Sequence, residues 1–127
     1  MSYHFSKRLD LSFDQAVSRV TEALKTEGFG LLTDIDVSAT LKAKLKQDFR
    51  PYRILGACNP QLAYRALTLE DKIGTMLPCN VVVQQRDGRT EVAAIDPVAS
   101  MQAVDNRALA AVASEVRDQL QSVIQTL

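Results

Sequence analysis

Apolar and polar residues alternate from Tyr3 to Leu11: Tyr3, Phe5, Leu9 and Leu11 share one face, and His4, Ser6, Arg8 and Asp10 the other, the pattern of a half-buried strand. The period changes at Ser12. Ser12 and Gln15 have capping-box spacing, and Phe13, Ala16, Val17, Val20 and Leu24 then recur at helical intervals up to Gly28, which suits a left-handed stop. This predicts a helix over 13–27. Alternation resumes in Phe29, Leu31, Thr33 and Ile35, a second strand, before Val37, Leu41 and Leu45, with Lys42, Lys44 and Lys46 outward, predict a short amphipathic helix over 37–47.

Tyr52 to Ala57 reads as a third strand running straight into Cys58. Asn59 caps well and Pro60 is tolerated at a first helical position, so a helix opens there with Leu62, Ala63, Ala66 and Leu67 as its apolar stripe. Residues 73–77 fit neither period. Val81 to Gln85 and Thr90 to Ile95 flank Arg86-Asp87-Gly88-Arg89, whose central pair suits the positive φ angles of a hairpin turn. Asp96-Pro97 repeats the cap and proline, opening a helical piece to about Val104. A final helix starts near Asp105-Asn106 and carries Leu109, Val112, Ala113, Val116, Leu120, Val123 and Leu127 on one stripe. This order of elements predicts an α+β fold, a mainly antiparallel sheet packed by helices on one face, with a parallel α/β sheet as the alternative.

Composition narrows the function classes. At 127 residues, with no linker or repeat, the chain reads as a single domain over 1–127 that buries roughly two-thirds of its unfolded surface. Lys plus Arg and Asp plus Glu each number 15, so the balanced charge argues against the broad basic surface of a nucleic-acid partner. The N-terminus has no signal-like apolar run, and the longest aliphatic stretch, Ala108 to Ala113, is far below a membrane span. The expectation is a cytoplasmic protein with no membrane partner.

The chain's two thiols each precede an asparagine, in Cys58-Asn59 and Cys79-Asn80. Their spacing fits no C-x-x-C arrangement, and free thiols are expected in a reducing compartment. Cys58 stands where a helix begins, a place that can stabilise thiolate, which makes it the candidate catalytic nucleophile or redox centre, with Arg53 or Arg65 as activating cation. Cys79 leads into an apolar strand, where a buried core residue is the simpler role. If the two strands lie side by side, the thiols meet and Asn59 and Asn80 complete a polar pocket for a small ligand or a soft metal such as copper(I) or zinc. Two thiolates alone fall short of the four ligands of structural zinc.

Other candidates are weaker. Asp34, Asp36 and Asp96 stand at strand ends and could gather into a carboxylate cluster, although capping explains Asp36 and Asp96. Arg50, Tyr52 and Arg53 could hold an anion near the helix starts at Asn59 and Asp96. His4 is the single histidine and falls on a polar strand face, so a Ser-His-Asp hydrolase or a Cys–His couple would rest on it alone.

The segments Gly28 to Asp36, Asp48 to Pro60, Ile73-Gly74 with Leu77-Pro78-Cys79-Asn80-Val81, and Ala94-Ile95-Asp96-Pro97 together resemble the family known as domain of unknown function 302. The resemblance covers nearly the whole chain. It implies a small α+β domain similar to the TATA-binding-protein-like fold, seen as a dimer, and it names no reaction and no cofactor. Sequence thus points to a homodimeric binding or accessory protein with a small-ligand or soft-metal pocket. The ligand-binding candidates are Cys58, Asn59, Cys79, Asn80, Asp96 and Arg53, and the metal candidates are Cys58 and Cys79. The alternatives are a thiol-dependent enzyme or redox protein using Cys58, and a purely structural or protein-interaction domain.

Overall fold

The computed structural model describes residues 2–127. Its elements run β1 (His4–Leu9), α1 (Phe13–Thr26), β2 (Gly30–Asp36), α2 (Val37–Leu45), β3 (Tyr52–Cys58), α3 (Pro60–Leu69), a 3-10 helix (Asp71–Met76), β4 (Cys79–Arg86), β5 (Arg89–Ile95), α4 (Pro97–Ser100) and α5 (Arg107–Gln125). Caps set most of the boundaries. The Ser12 hydroxyl accepts from the Gln15 backbone N–H at 3.2 Å while the Gln15 side chain accepts from the Ser12 N–H at 3.1 Å, the reciprocal box anticipated from the spacing. At the other end of α1, the N–H groups of Gly28 and Phe29 return to the carbonyls of Lys25 and Leu24, closing a Schellman turn. Asn59, Asp96 and Asn106 cap α3, α4 and α5.

Several boundaries differ from the periodicity. Helix α2 ends at Leu45 because Lys46 turns left-handed, at φ 55°. The helix after Asp96 stops at Ser100, and the ambiguous stretch at 73–77 belongs to the 3-10 helix. Strand β4 begins at Cys79, two residues before the valine run, since buried Cys79 and exposed Asn80 continue the alternation of Val81 and Val82 backwards. Tyr3 lies outside β1 and is 68% exposed. Lys7 occupies an apolar register of β1, with its ammonium donating to the backbone oxygens of Gln125 and Leu127 at 3.2 and 2.6 Å; the stem packs while the charge meets the carbonyl end of α5.

The sheet has order β1-β5-β4-β3-β2, and every pairing is antiparallel, which overturns the parallel alternative and gives the α+β class. Asp87 and Gly88 take the positive φ angles of the hairpin turn, 53° and 74°. Phe5, Leu55, Val81 and Ala94 form one cross-strand row in the core, and α1 and α5 pack over this face. Ile35, Ile54, Val82 and Ala93 form a row on the opposite face, where Ser6, Thr33, Ile35 and Asn80 are exposed.

Helix α5 serves two apolar clusters. Leu120, Val123 and Ile124 pack into the sheet core with Leu24 and Leu55, whereas Leu109 and Val112 pack with Leu62 and Ala66 of α3 and with Ile73. Val116 and Leu77 touch both clusters and mark the seam between them.

Close approach of backbone to side chain fixes the register at one point. A Cβ on Gly56 would meet Pro78 Cγ at 2.7 Å and overlap Thr33 Oγ1, so the side chains of Thr33 in β2 and Pro78 just before β4 close over β3 only because position 56 carries no side chain. Gly56→Ala is expected to cost about 1–3 kcal/mol in urea unfolding. Part of that cost should return in a Thr33→Ala background; full stability of the single variant would show that the strands yield instead.

Candidate functional site

Short side chains at one end of the sheet leave space beneath the helices. Strand β3 ends in Gly56-Ala57-Cys58, and Ala57 lies directly opposite Cys79 of β4. Beside these small residues, and bounded by α3 and α5, lies a cavity of about 300 Å³. Its walls include Phe29, Leu62, Leu67, Met101, Val112 and Val116, and both thiols line it. Leu32 stands at the irregularity where the β2–β3 register shifts between Leu31 and Thr33; it also lines the cavity and is 67% exposed, as is 45% of Leu67.

Apart from the thiols, Asn59 is the one polar side chain among the lining residues, and its amide is engaged. Its Oδ1 accepts from the Leu62 N–H at 3.4 Å, and its Nδ2 donates to Gln119 Oε1 at 3.2 Å. No charged side chain lines the cavity among the described residues. Burial therefore pushes the Cys58 thiol above its ordinary value of 9.0. Cys79, more deeply enclosed, is pushed up to about 11 by burial first and by neighbouring Cys58 second.

This direction is opposite to the one implied by the helix start after Cys58. A helix terminus is worth about 0.3–1 kcal/mol to a nearby charge, whereas removing an ion from water costs several kcal/mol, so partial burial suffices to reverse the sign. The suggested activating cations are elsewhere: Arg53 pairs with Asp34 at 3.3 Å and Arg65 with Glu115 at 2.9 Å. Both thiols are free and neutral at pH 7.

Three of the six ligand candidates, Cys58, Asn59 and Cys79, thus come together, and the other three do not. Asn80 follows Cys79 in a strand, so it points to the opposite face and is exposed. Asp96 is 6% exposed, caps α4 through Val98 and pairs with Arg117 at 3.2 Å. Arg53 lines a different groove near α2. The pocket is consequently apolar, where sequence suggested a polar one. Asp34, Asp36 and Asp96 form no cluster, and among the described residues no group of three or more His, Cys, Asp or Glu could hold a metal ion. His4 pairs with Ile95 in the sheet and lines no part of the cavity.

Phe29, Leu32 and Met101 were invisible to sequence reasoning as site residues, and the stripes of α3 and α5 read as ordinary core. The available signal was the small residues Ala57 and Cys79 at the ends of the core-facing sets of their strands. No helix among the described residues is long and apolar enough to cross a membrane.

The family described as Domain of unknown function DUF302 matches over residues 5–127. No curated protein matches. A crystal structure of an uncharacterised conserved protein DUF302 from Bacillus stearothermophilus is 31% identical, covers 98% of each chain and superposes with a TM-score of 0.92.

The raised thiols make a direct prediction. Each is neutral in the fold, so its stabilising contribution is complete below the unfolded value and is lost as pH rises through the folded one. For Cys79 that window lies between 9.0 and about 11. Stability should fall across it in urea titrations, with a smaller fall in Cys79→Ala. Iodoacetamide should label Cys58 slowly at pH 7 and Cys79 only on unfolding; rapid labelling at neutral pH would show an activated thiolate.

Proposed function

The chain belongs to the domain of unknown function 302 family, and from the cavity it encloses we propose that it is a binding domain for a small, uncharged, apolar molecule. The observation that carries this reading is an apolar cavity of about 300 Å³ with no charged lining residue and apolar side chains exposed at Leu32 and Leu67. Ligand pockets occupy about 300–1,000 Å³, and a cavity of about 150 Å³ takes benzene, so this one has room for about two fused rings or a medium acyl chain. A buried carboxylate or phosphate would find no cation there, which restricts the occupant to neutral groups. The two thiols supply soft, polarisable contacts rather than a nucleophile. A soft metal at the same pair would require deprotonated thiols, which burial opposes.

The protein acts as a homodimer in this proposal. The row Ile35, Ile54, Val82 and Ala93 supports it, because it is apolar, crosses four strands and lies away from the face packed by α1 and α5.

Two measurements test the reading. Titration with 1-aminonaphthalene should show saturable fluorescence enhancement, and Ala63→Phe, which fills the cavity, should weaken it at least about tenfold with little loss of stability. Equal binding by parent and variant would remove the cavity as the site. Light scattering should give twice the chain mass for the parent and the single chain mass for Val82→Lys; a monomeric parent would end the dimer proposal.

A further inference from the structure

The open face of the sheet carries its charge at one end. Next to the apolar row of Ile35, Ile54, Val82 and Ala93, the same face continues with Tyr52, Gln84, Glu91 and Arg8, one each on β3, β4, β5 and β1. Arg86 and Arg89 follow, directly opposite each other where the β4–β5 hairpin closes. Side chains two apart on a strand share a face, so Arg8, Arg86 and Arg89 stand on the same side as Glu91. Together with Asp87 of the turn these residues line a groove of about 590 Å³, and all three arginines are exposed to it.

Nothing in the fold neutralises these guanidiniums. Like charges directly opposite in a ladder destabilise a sheet, and Arg86 against Arg89 is such a pair. Among the described residues, none of the three arginines forms an ion pair. The carboxylate nearest to hand is engaged from the other side: Glu91 Oε1 accepts from Gln84 Nε2 at 3.3 Å, and Gln84 Oε1 accepts from Arg50 Nε at 2.9 Å. This chain of bonds draws Glu91 towards β4, away from Arg8 on β1. It also brings the Arg50 guanidinium, which packs on the Phe49 and Tyr52 rings, to the border of the same charged end.

Charge and geometry together select the occupant. The chain as a whole is neutral, yet the groove sets three cations against two carboxylates, before Arg50 is counted, so it favours an anion. Every cation lining it is an arginine. A guanidinium presents a rigid fork of N–H groups that meets phosphoryl oxygens two at a time, where lysine would offer a point charge. A carboxylate has one pair of oxygens and satisfies one such fork. A phosphomonoester or diphosphate presents oxygens in several directions and can meet forks arriving from β1, β4 and β5 at once.

We propose that the groove formed by Arg8, Arg86 and Arg89 binds the phosphomonoester or diphosphate group of a small soluble molecule. Arg86 and Arg89 hold the group from the two strands of the hairpin, and Arg8 closes on it from β1. The site lies on the sheet face opposite α1 and α5, so its success or failure is independent of the thiol-lined cavity.

Calorimetric titration of the whole chain with inorganic diphosphate tests this. Binding should saturate, and acetate should bind at least about tenfold more weakly. Arg86→Gln combined with Arg89→Gln should weaken diphosphate binding at least about tenfold, and Arg8→Gln at least about threefold. Thermal unfolding of the double variant should occur no lower than in the parent, because the substitutions relieve a like-charge pair. Arg19→Gln removes the same charge from exposed α1 on the other face and should leave binding unchanged. Absence of saturation, or an equal loss in Arg19→Gln, overturns the proposal. So does cosedimentation with phosphatidylcholine vesicles carrying phosphatidic acid when diphosphate itself fails to saturate, since that result assigns the arginines to a membrane surface.

Discussion

Helix α5 has to cover two surfaces at once. Its C-terminal half lies on the antiparallel sheet through Leu120, Val123 and Ile124, while its N-terminal half holds α3 and the 3-10 helix through Leu109 and Val112. Burial of side chains of this size stabilises by about 1.5–3 kcal/mol each, so neither half can be lifted to improve the fit of the other. The seam at Val116 and Leu77 is where the two packing demands meet, and the rest of the molecule arranges itself around it. Arg117 and Asp96 tie the end of β5 to the same helix, and Lys7 closes its last turn from β1.

The apolar cavity follows from that compromise. A core fills its space when large side chains face small ones. Here small faces small: Ala57 is opposite Cys79, and Ala63, Ala66 and Ala113 add little bulk from the helices. The same enclosure determines the chemistry. With no cation in reach, desolvation outweighs the helix terminus at Cys58, and the two sulfurs act as neutral, polarisable surface. At the far end of β3 the opposite regime holds, with charged groups crowded together and one guanidinium donor left without an acceptor.

Much of the fold was legible because its signals are local. Ser12 with Gln15, Asn59 with Pro60, Asp96 with Pro97 and Asp87 with Gly88 each set a boundary through contacts within a few residues, and all four operate as their chemistry implies. Where the reading failed, the cause was non-local. Periodicity started β4 at Val81, although Cys79 and Asn80 already pair with β3, and the helix after Asp96 was carried past Ser100 because nothing nearby announces its stop. The candidate site was half legible. Cys58, Asn59 and Cys79 were found through their unusual residue types, whereas Phe29 and Met101 look like any core residues until the fold sets them around one space.

The alternation of strands and helices, the caps and the hairpin turn determined the α+β class from the chain alone, since backbone hydrogen bonding and side-chain period are properties of short segments. The position of the two thiols was also partly fixed locally, at a strand end and beside a valine run. Only the tertiary structure decided that Asn80 and Asp96 face away from them, that an apolar void separates them from α3 and α5, and that burial raises their proton affinity. Those outcomes depend on strand register and on how far α5 can reach, and both are set by contacts between residues distant in the chain.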